Sequence, residues 1–321
     1  MTPPSDVAAD FVTSGPLPVT HADGRAVASC MADLSRLSRP RIAVMVLATV
    51  FTAAWLTAGR PTDAVAFAWL LAGTALVAAS SSVANQILER HSDRLMKRTA
   101  ARPIATGRMT LATAWTITAV LGVVGAATVG VAGGWPASAA AVATWVLYVA
   151  VYTPLKRTTP LNTAIGAVAG ALPVAIGWLA ADGPARLAAG DARGALAAAA
   201  LATVLYLWQF PHFMAIAWLY RSQYAAAGLR MLTVVDPSGL RAGGQSLAAA
   251  LAMVPASLVL AVPSGSVRLF LAAALASIVY VLASARFAIR RDDASARLLL
   301  LTSLASLLGL LCAAVAFGRP V

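Results

Sequence analysis

The stretch Val65-AFAWLLAGTALVAASSSVANQILERHSDRLMKRTAAR-Pro103 decides the fold. Its first 24 residues, 65–88, carry no Asp, Glu, Lys or Arg, and the residues after them are crowded with both signs of charge. An apolar run of about 20 residues is the length of a helix that crosses a bilayer. Around this run the whole chain reads the same way. Of its 321 residues 60% are hydrophobic and only 11% are charged, with a mean hydropathy of +0.79, whereas a soluble domain carries about 25% charged residues. Nine such runs occur, at roughly 41–59, 65–88, 110–133, 136–155, 162–181, 196–219, 246–262, 267–285 and 298–317. Backbone in lipid must satisfy its own hydrogen bonds, so these runs are expected to be helices. The alternating segments of about ten residues that mark a β-barrel are absent. The expected fold is an all-α polytopic bundle of about nine transmembrane helices around a central cavity, occupying residues 36–321.

A net charge of +12 invites a nucleic-acid reading, but the distribution excludes it. With the N-terminus inside, 19 of the 24 Lys and Arg fall on inner segments. Only Arg60, Arg186, Arg193, Arg268 and Arg319 fall outside. This asymmetry orients a membrane protein. It predicts a multi-pass protein of the inner (plasma) membrane with a cytoplasmic N-terminus. Residues 1–35 hold Pro3, Pro4, Pro16 and Pro18 among polar residues and are expected to be a mobile cytoplasmic tail rather than a cleavable signal. The two cysteines, Cys30 and Cys312, are too differently placed to suggest a disulfide.

Three polar constellations carry the chemistry. Asn85, Glu89 and Asp93 stand at i, i+4 and i+8, along one drifting face of a helix. Three oxygen-bearing side chains there suit Mg²⁺, which takes carboxylates, waters and substrate phosphates. Arg98 and Arg102, with Lys97, follow at a spacing suited to the phosphates themselves. The second constellation, Tyr152-TPLKRTTPL-Asn162, is either a tight inner loop or an anion clamp built on Lys156 and Arg157. The third runs from Trp208 to Leu232. Pro211 within it predicts a kink that can open a cavity. His212, within the same apolar run, is either hydrogen-bonded to a neighbouring helix, a contact to haem iron, or a handler of protons. Asp236 is either a turn residue or a further metal ligand.

These three constellations together resemble the intramembrane aromatic prenyltransferase superfamily, in its haem-farnesylating branch. The first matches N-x-x-x-[D/E]-x-x-x-D-x-x-M-x-R-T-x-x-R-P through Asn85, Glu89, Asp93, Met96, Arg98, Thr99, Arg102 and Pro103. The second is similar to Y-T-x-x-L-K-R-x-T-x-x-N, with Leu155 one place early. The run W-Q-x-P-H-F at 208–213 and Y-x-x-A-G-x-x-M-L at 224–232 also match. The resemblance spans about 85–240. It implies transfer of a farnesyl group from farnesyl diphosphate to a vinyl group of haem b, with addition of water. It implies Mg²⁺ on Asn85, Glu89 and Asp93. Arg98, Arg102, Lys156 and Arg157 would then hold the diphosphate, with Tyr152, Asn162, His212 and Tyr224 also binding substrate. Haem A synthase or cytochrome oxidase assembly proteins are implied as partners, beside the lipid bilayer; nucleic acid is not. Three positions depart from the pattern. Gln223 stands where Asp is usual, which puts the second half of the metal site in question. Glu89 replaces the commoner Asp, and His91 stands where many relatives carry an acid. The rival readings are a prenyltransferase for a quinone or chlorophyll precursor and a non-enzymatic transporter or assembly factor.

Overall fold

The computed structural model describes residues 32–59 and 63–318. The expected tail therefore lies mostly outside the described residues, and 32–38 form a short helix, α1. Then follow α2 (Pro40–Ala58), α3 (Ala64–Arg94) and α4 (Leu111–Val146). A π-helical segment, Leu147–Tyr152, leads into α5 (Thr153–Leu155). Helices α6 (Asn162–Ala171), α7 (Pro173–Ala180) and α8 (Gly183–Ala188) precede the long α9 (Arg193–Leu219). Short α10 (Arg221–Ala226) and α11 (Leu232–Val235) lead to α12 (Leu240–Val259), α13 (Val267–Arg290) and α14 (Asp293–Phe317). No strand occurs among the described residues.

Eight helical stretches are long and apolar enough to cross a membrane. One of them, Leu111–Leu155, has 45 residues, which at 1.5 Å per residue would extend about 68 Å, twice what a bilayer needs. It does not run straight. Gly134 sits at φ 83°, ψ 157°, outside helical geometry. The Ser138 hydroxyl donates to the Ala126 carbonyl, twelve residues back, at 2.8 Å. In a continuous helix those groups would lie about 18 Å apart. The chain thus doubles back at Gly134, and the eight stretches hold the nine apolar runs that the sequence predicts. The chain is a multi-pass membrane protein.

Packing follows from small side chains. Helix α3 lies along α4, α2 and α7 close one side, and α9 is surrounded by α6, α12 and α14. At Gly170 on α6, an added Cβ would collide with the amide of Gln209 on α9. In lipid, where apolar contact alone does not drive association, such close approaches hold helices together. Buried hydroxyls turn back onto their own helices: Thr49, Thr57 and Thr74 donate to the carbonyls of Met45, Ala53 and Leu70. Ser257 and Ser277 also meet each other across α12 and α13 at 2.6 Å. Helices α12 and α13 pack outside α9 and leave the space between α2, α3, α4, α6, α9 and α14 open.

Candidate active site

That space is a cavity of about 520 Å³, within the range of about 300–1,000 Å³ typical of small-molecule sites. Its body is apolar, with Met45, Val77, Ile176, Leu205, Phe213 and Leu307 on the wall. Its polar end carries Arg39, Glu89, Asp93, Arg98, Arg102 and Lys156.

The end of α3 builds the polar floor. Asn85, Glu89 and Asp93 are all buried, as one helical face requires when it turns inward. Thr153 orients Asn85: the Asn85 amide donates to Thr153 Oγ1 at 3.0 Å, and Thr153 donates onward to the Tyr148 carbonyl. The π-helical segment makes this relay. Its extra residue per turn brings the Tyr148 carbonyl under the Thr153 hydroxyl, and such segments are frequent at functional sites. Asn85 Oδ1 is left buried with no hydrogen-bond partner. Asp93 accepts from Arg102 at 2.6 Å through Oδ2, and its Oδ1 is likewise buried and unpartnered. Glu89 accepts from Lys156 at 2.8 Å through Oε1.

Two orphaned oxygens on one helix face are a cost unless something meets them. Their chemistry fits a hard cation, with Glu89 as a third oxygen donor. No group of three or more His, Cys, Asp or Glu that could hold a metal occurs among the described residues. Mg²⁺ does not need one, because it keeps waters and shares substrate phosphates.

Cations ring the same end. Lys156 lies over the Tyr152 ring at 4.4 Å. Burial opposes its charge, but Glu89 beside it outweighs burial and raises the ammonium pKa above the usual lysine value. Arg98 donates to the Tyr224 hydroxyl at 2.6 Å and stacks between Tyr220 and Tyr224, 4.8 Å from each ring. Motifs far apart in sequence therefore share one end: α3 and the loop after it, the π-helical turn, and α10.

Of Asn162, Arg157, Asp236, Gln223 and His212, His212 alone lines the cavity. Asn162 is buried but ties loops together, donating to the Thr159 and Arg230 carbonyls. Arg157 lines a separate, smaller pocket of about 210 Å³ that Glu89 also lines. Asp236 is not among the cavity-lining residues. Its carboxylate accepts from the Ser238 hydroxyl and the Arg241 backbone N–H, which hold its pKa below the usual carboxylate value. Gln223 does not line the cavity either; its Oε1 accepts from the Arg98 backbone at 3.5 Å. His212 lines the cavity, with Nδ1 2.8 Å from Ser303 Oγ.

Sequence reading missed Arg39 and Arg41, which it counted only as orienting cations. Both line the cavity. Arg39 takes a left-handed conformation, φ 50°, just before Pro40, at the turn between α1 and α2. A side chain costs about 1–2 kcal/mol there. Arg-Pro at the start of an apolar run was the available signal, and it does not reveal which way the arginine faces.

The sequence model of the UbiA prenyltransferase family matches residues 46–317. The protoheme IX farnesyltransferase of Rhodopirellula baltica is 42% identical over 249 residues, covering 77% of this chain and 84% of the relative. That of Solibacter usitatus is 34% identical over 283 residues, covering 85% and 94%. A UbiA homologue from Archaeoglobus fulgidus, solved with GPP and Mg²⁺, superposes with a TM-score of 0.63 over 88% of this chain and 99% of its own, at 17% identity. The family match takes in most of the cavity wall, though not Arg39 and Arg41, and the chain belongs to the UbiA prenyltransferase family.

Proposed function

We propose that the chain transfers the farnesyl group of farnesyl diphosphate to a vinyl group of haem b, with addition of water, giving haem O and diphosphate. The observation that carries the reading is the cavity itself: an apolar body that ends on the orphaned oxygen of Asp93, the Glu89 carboxylate and a ring of cations, with the orphaned Asn85 oxygen on the same helix face. A long isoprenoid chain fits the body, and a diphosphate fits the end. The relatives' shared name supports haem as the acceptor, and the Archaeoglobus homologue supports Mg²⁺.

Asn85, Glu89 and Asp93 would hold Mg²⁺, which when bound supplies neutralising charge to the leaving diphosphate. Arg98, Arg102 and Lys156 add fixed positive charge at the same place, where charge develops as the allylic C–O bond breaks. Lys156 and Arg102 are themselves held by Glu89 and Asp93, so they need little reorganisation when the anion arrives. Arg39 and Arg41 at the cavity wall suit a second set of carboxylates, such as haem propionates. The apolar wall limits the water that reaches the allylic cation. A position in the inner membrane with the N-terminus in the cytoplasm places this polar end on the cytoplasmic side. Haem A synthase or oxidase assembly proteins would then receive the product.

Expression in membranes with mass analysis of extracted haems tests the reading. Haem O is the expected product. A prenylated phenol, or unchanged haem b beside an active Asn85–Asp93 site, would overturn it.

A further inference from the structure

We infer that His212 is the base that accepts the proton of the water added across the haem vinyl group. The inference rests on the farnesyl-transfer reading and deepens it. Ser303 on α14 decides which nitrogen of the ring is free. Its hydroxyl has one hydrogen, and this is donated to the Leu300 carbonyl at 2.6 Å. Ser303 Oγ must therefore accept from His212 Nδ1, 2.8 Å away. In a neutral ring with Nδ1 protonated, Nε2 keeps a lone pair. Among the described residues Nε2 has no hydrogen-bond partner, and the side chain lines the cavity.

The ring is also held in orientation. It stacks on Trp208, with centroids 4.6 Å apart and planes at 23°. Trp208 Nε1 in turn donates to the Ser303 carbonyl at 2.7 Å, and the Tyr280 hydroxyl donates to the Trp208 carbonyl at 2.7 Å. Ser303 on α14 thus sets the tautomer of His212 and holds the Trp208 ring on which it stacks. A hydrogen-bonded partner that fixes tautomer and ring orientation is what a histidine base or ligand requires.

Depth is consistent with this role. Met96, just past α3, shares a buried cluster with Ala217 near the end of α9, so these two helices end near one level. His212 is seven residues from the last residue of α9, about 10 Å, and Glu89 is five from the last residue of α3, about 8 Å. The carboxylates on the wall are held by cations, Glu89 by Lys156 and Asp93, through one oxygen, by Arg102.

The step balances as follows. The C1–O bond of farnesyl diphosphate breaks and its electron pair leaves with the diphosphate. The vinyl π pair forms a bond from the terminal vinyl carbon to C1, and the inner vinyl carbon becomes cationic. Water donates a lone pair to that carbon, one of its O–H bonds breaks, and the proton goes to Nε2. The imidazolium then returns the proton to water at the cavity mouth. Without a base to hold the water, the same cation loses a proton from the neighbouring CH₂ and gives an alkene lighter than haem O by one water.

The ratio of haem O to this alkene, read by mass spectrometry from membranes making wild type, His212→Gln or Ser303→Ala, tests the inference. General-base catalysis is worth about 10²-fold or more, so His212→Gln should lower the ratio about 100-fold while diphosphate release falls much less. Ser303→Ala, which removes the acceptor for Nδ1–H, should lower it severalfold. The ratio is set within each turnover, so a loss of folded protein does not move it. An unchanged ratio in His212→Gln overturns the inference, as does loss of both products in step; a shifted haem absorption band would then assign Nε2 to the iron. Should His212→Gln fail to accumulate, an unchanged ratio in Ser303→Ala overturns it. Absence of haem O from wild type would instead reject the farnesyl-transfer reading.

Discussion

Asp93 has one oxygen committed to Arg102 and one buried without a partner. Asp93→Asn keeps the shape and an acceptor but removes the charge. Loss of one preorganised electrostatic group costs about 10²–10³-fold in rate, so diphosphate release should fall at least that far while the protein still inserts and folds. Activity within about twofold of wild type would reject the metal assignment. Asp236→Asn is the contrast. Its carboxylate serves a turn at Ser238 and Arg241 and does not reach the cavity, so activity should stay within about twofold. A drop comparable to that of Asp93→Asn would return Asp236 to the site. Gln223 lies between these cases, beside the Arg98 backbone and next to Tyr224 on the wall. A carboxylate there adds charge that an amide lacks. Gln223→Asp should lower the Mg²⁺ concentration for half-maximal activity and leave the maximal rate similar. A titration curve that does not move would mean that position 223 never meets the metal. At this scale Asn85, Glu89 and Asp93 were legible because helical spacing alone aligns them. Arg39 and Asp236 were not, because a side chain's direction at a turn depends on what packs there.

Among the elements, the pair of crossings between 111 and 155 turns on one residue. Gly134 at φ 83°, ψ 157° occupies a region that is essentially restricted to glycine. Gly134→Ala should cost about 1–3 kcal/mol, seen as a lower unfolding midpoint of the purified protein in detergent, with Pro136 still limiting how the second half can restart. An unchanged midpoint would mean that the turn relaxes freely. The Gly133-Gly134-Trp135-Pro136 break was readable as a boundary between two apolar runs. The π-helical segment was not. Nothing in Leu147–Tyr152 departs from an ordinary apolar helix, and the added residue per turn is stabilised by the contacts of Thr153 with Asn85 and Tyr148.

For the molecule as a whole, the doubled stretch makes the number of crossings odd. Odd crossings put the two ends of the chain on opposite sides. The N-terminal segment is tied to the polar end: Gln86 donates to the Arg36 and Leu37 carbonyls, and Arg108 pairs with Asp33 at 2.8 Å. Cation asymmetry predicts a cytoplasmic location for that end. Reporter fusions should therefore find residue 36 inside and residue 318 outside. Both on the cytoplasmic side would remove one crossing from the 111–155 hairpin.

The sequence by itself determined the class of fold, the number of apolar runs, the charge asymmetry between their two sides, and the motif that marks the polar floor. Hydropathy, charge asymmetry and helical spacing are local properties, and lipid leaves the chain few alternatives to a helix. Only the tertiary structure decided which polar residues meet. It brought Lys156 and Tyr224 to the end of α3, kept Asp236 at a turn, and turned Arg39 toward the cavity. It also placed Ser303 against His212, 91 residues away. Those outcomes depend on close approach between helices at small residues and on where buried hydrogen-bonding groups find partners, and neither is encoded within any single run.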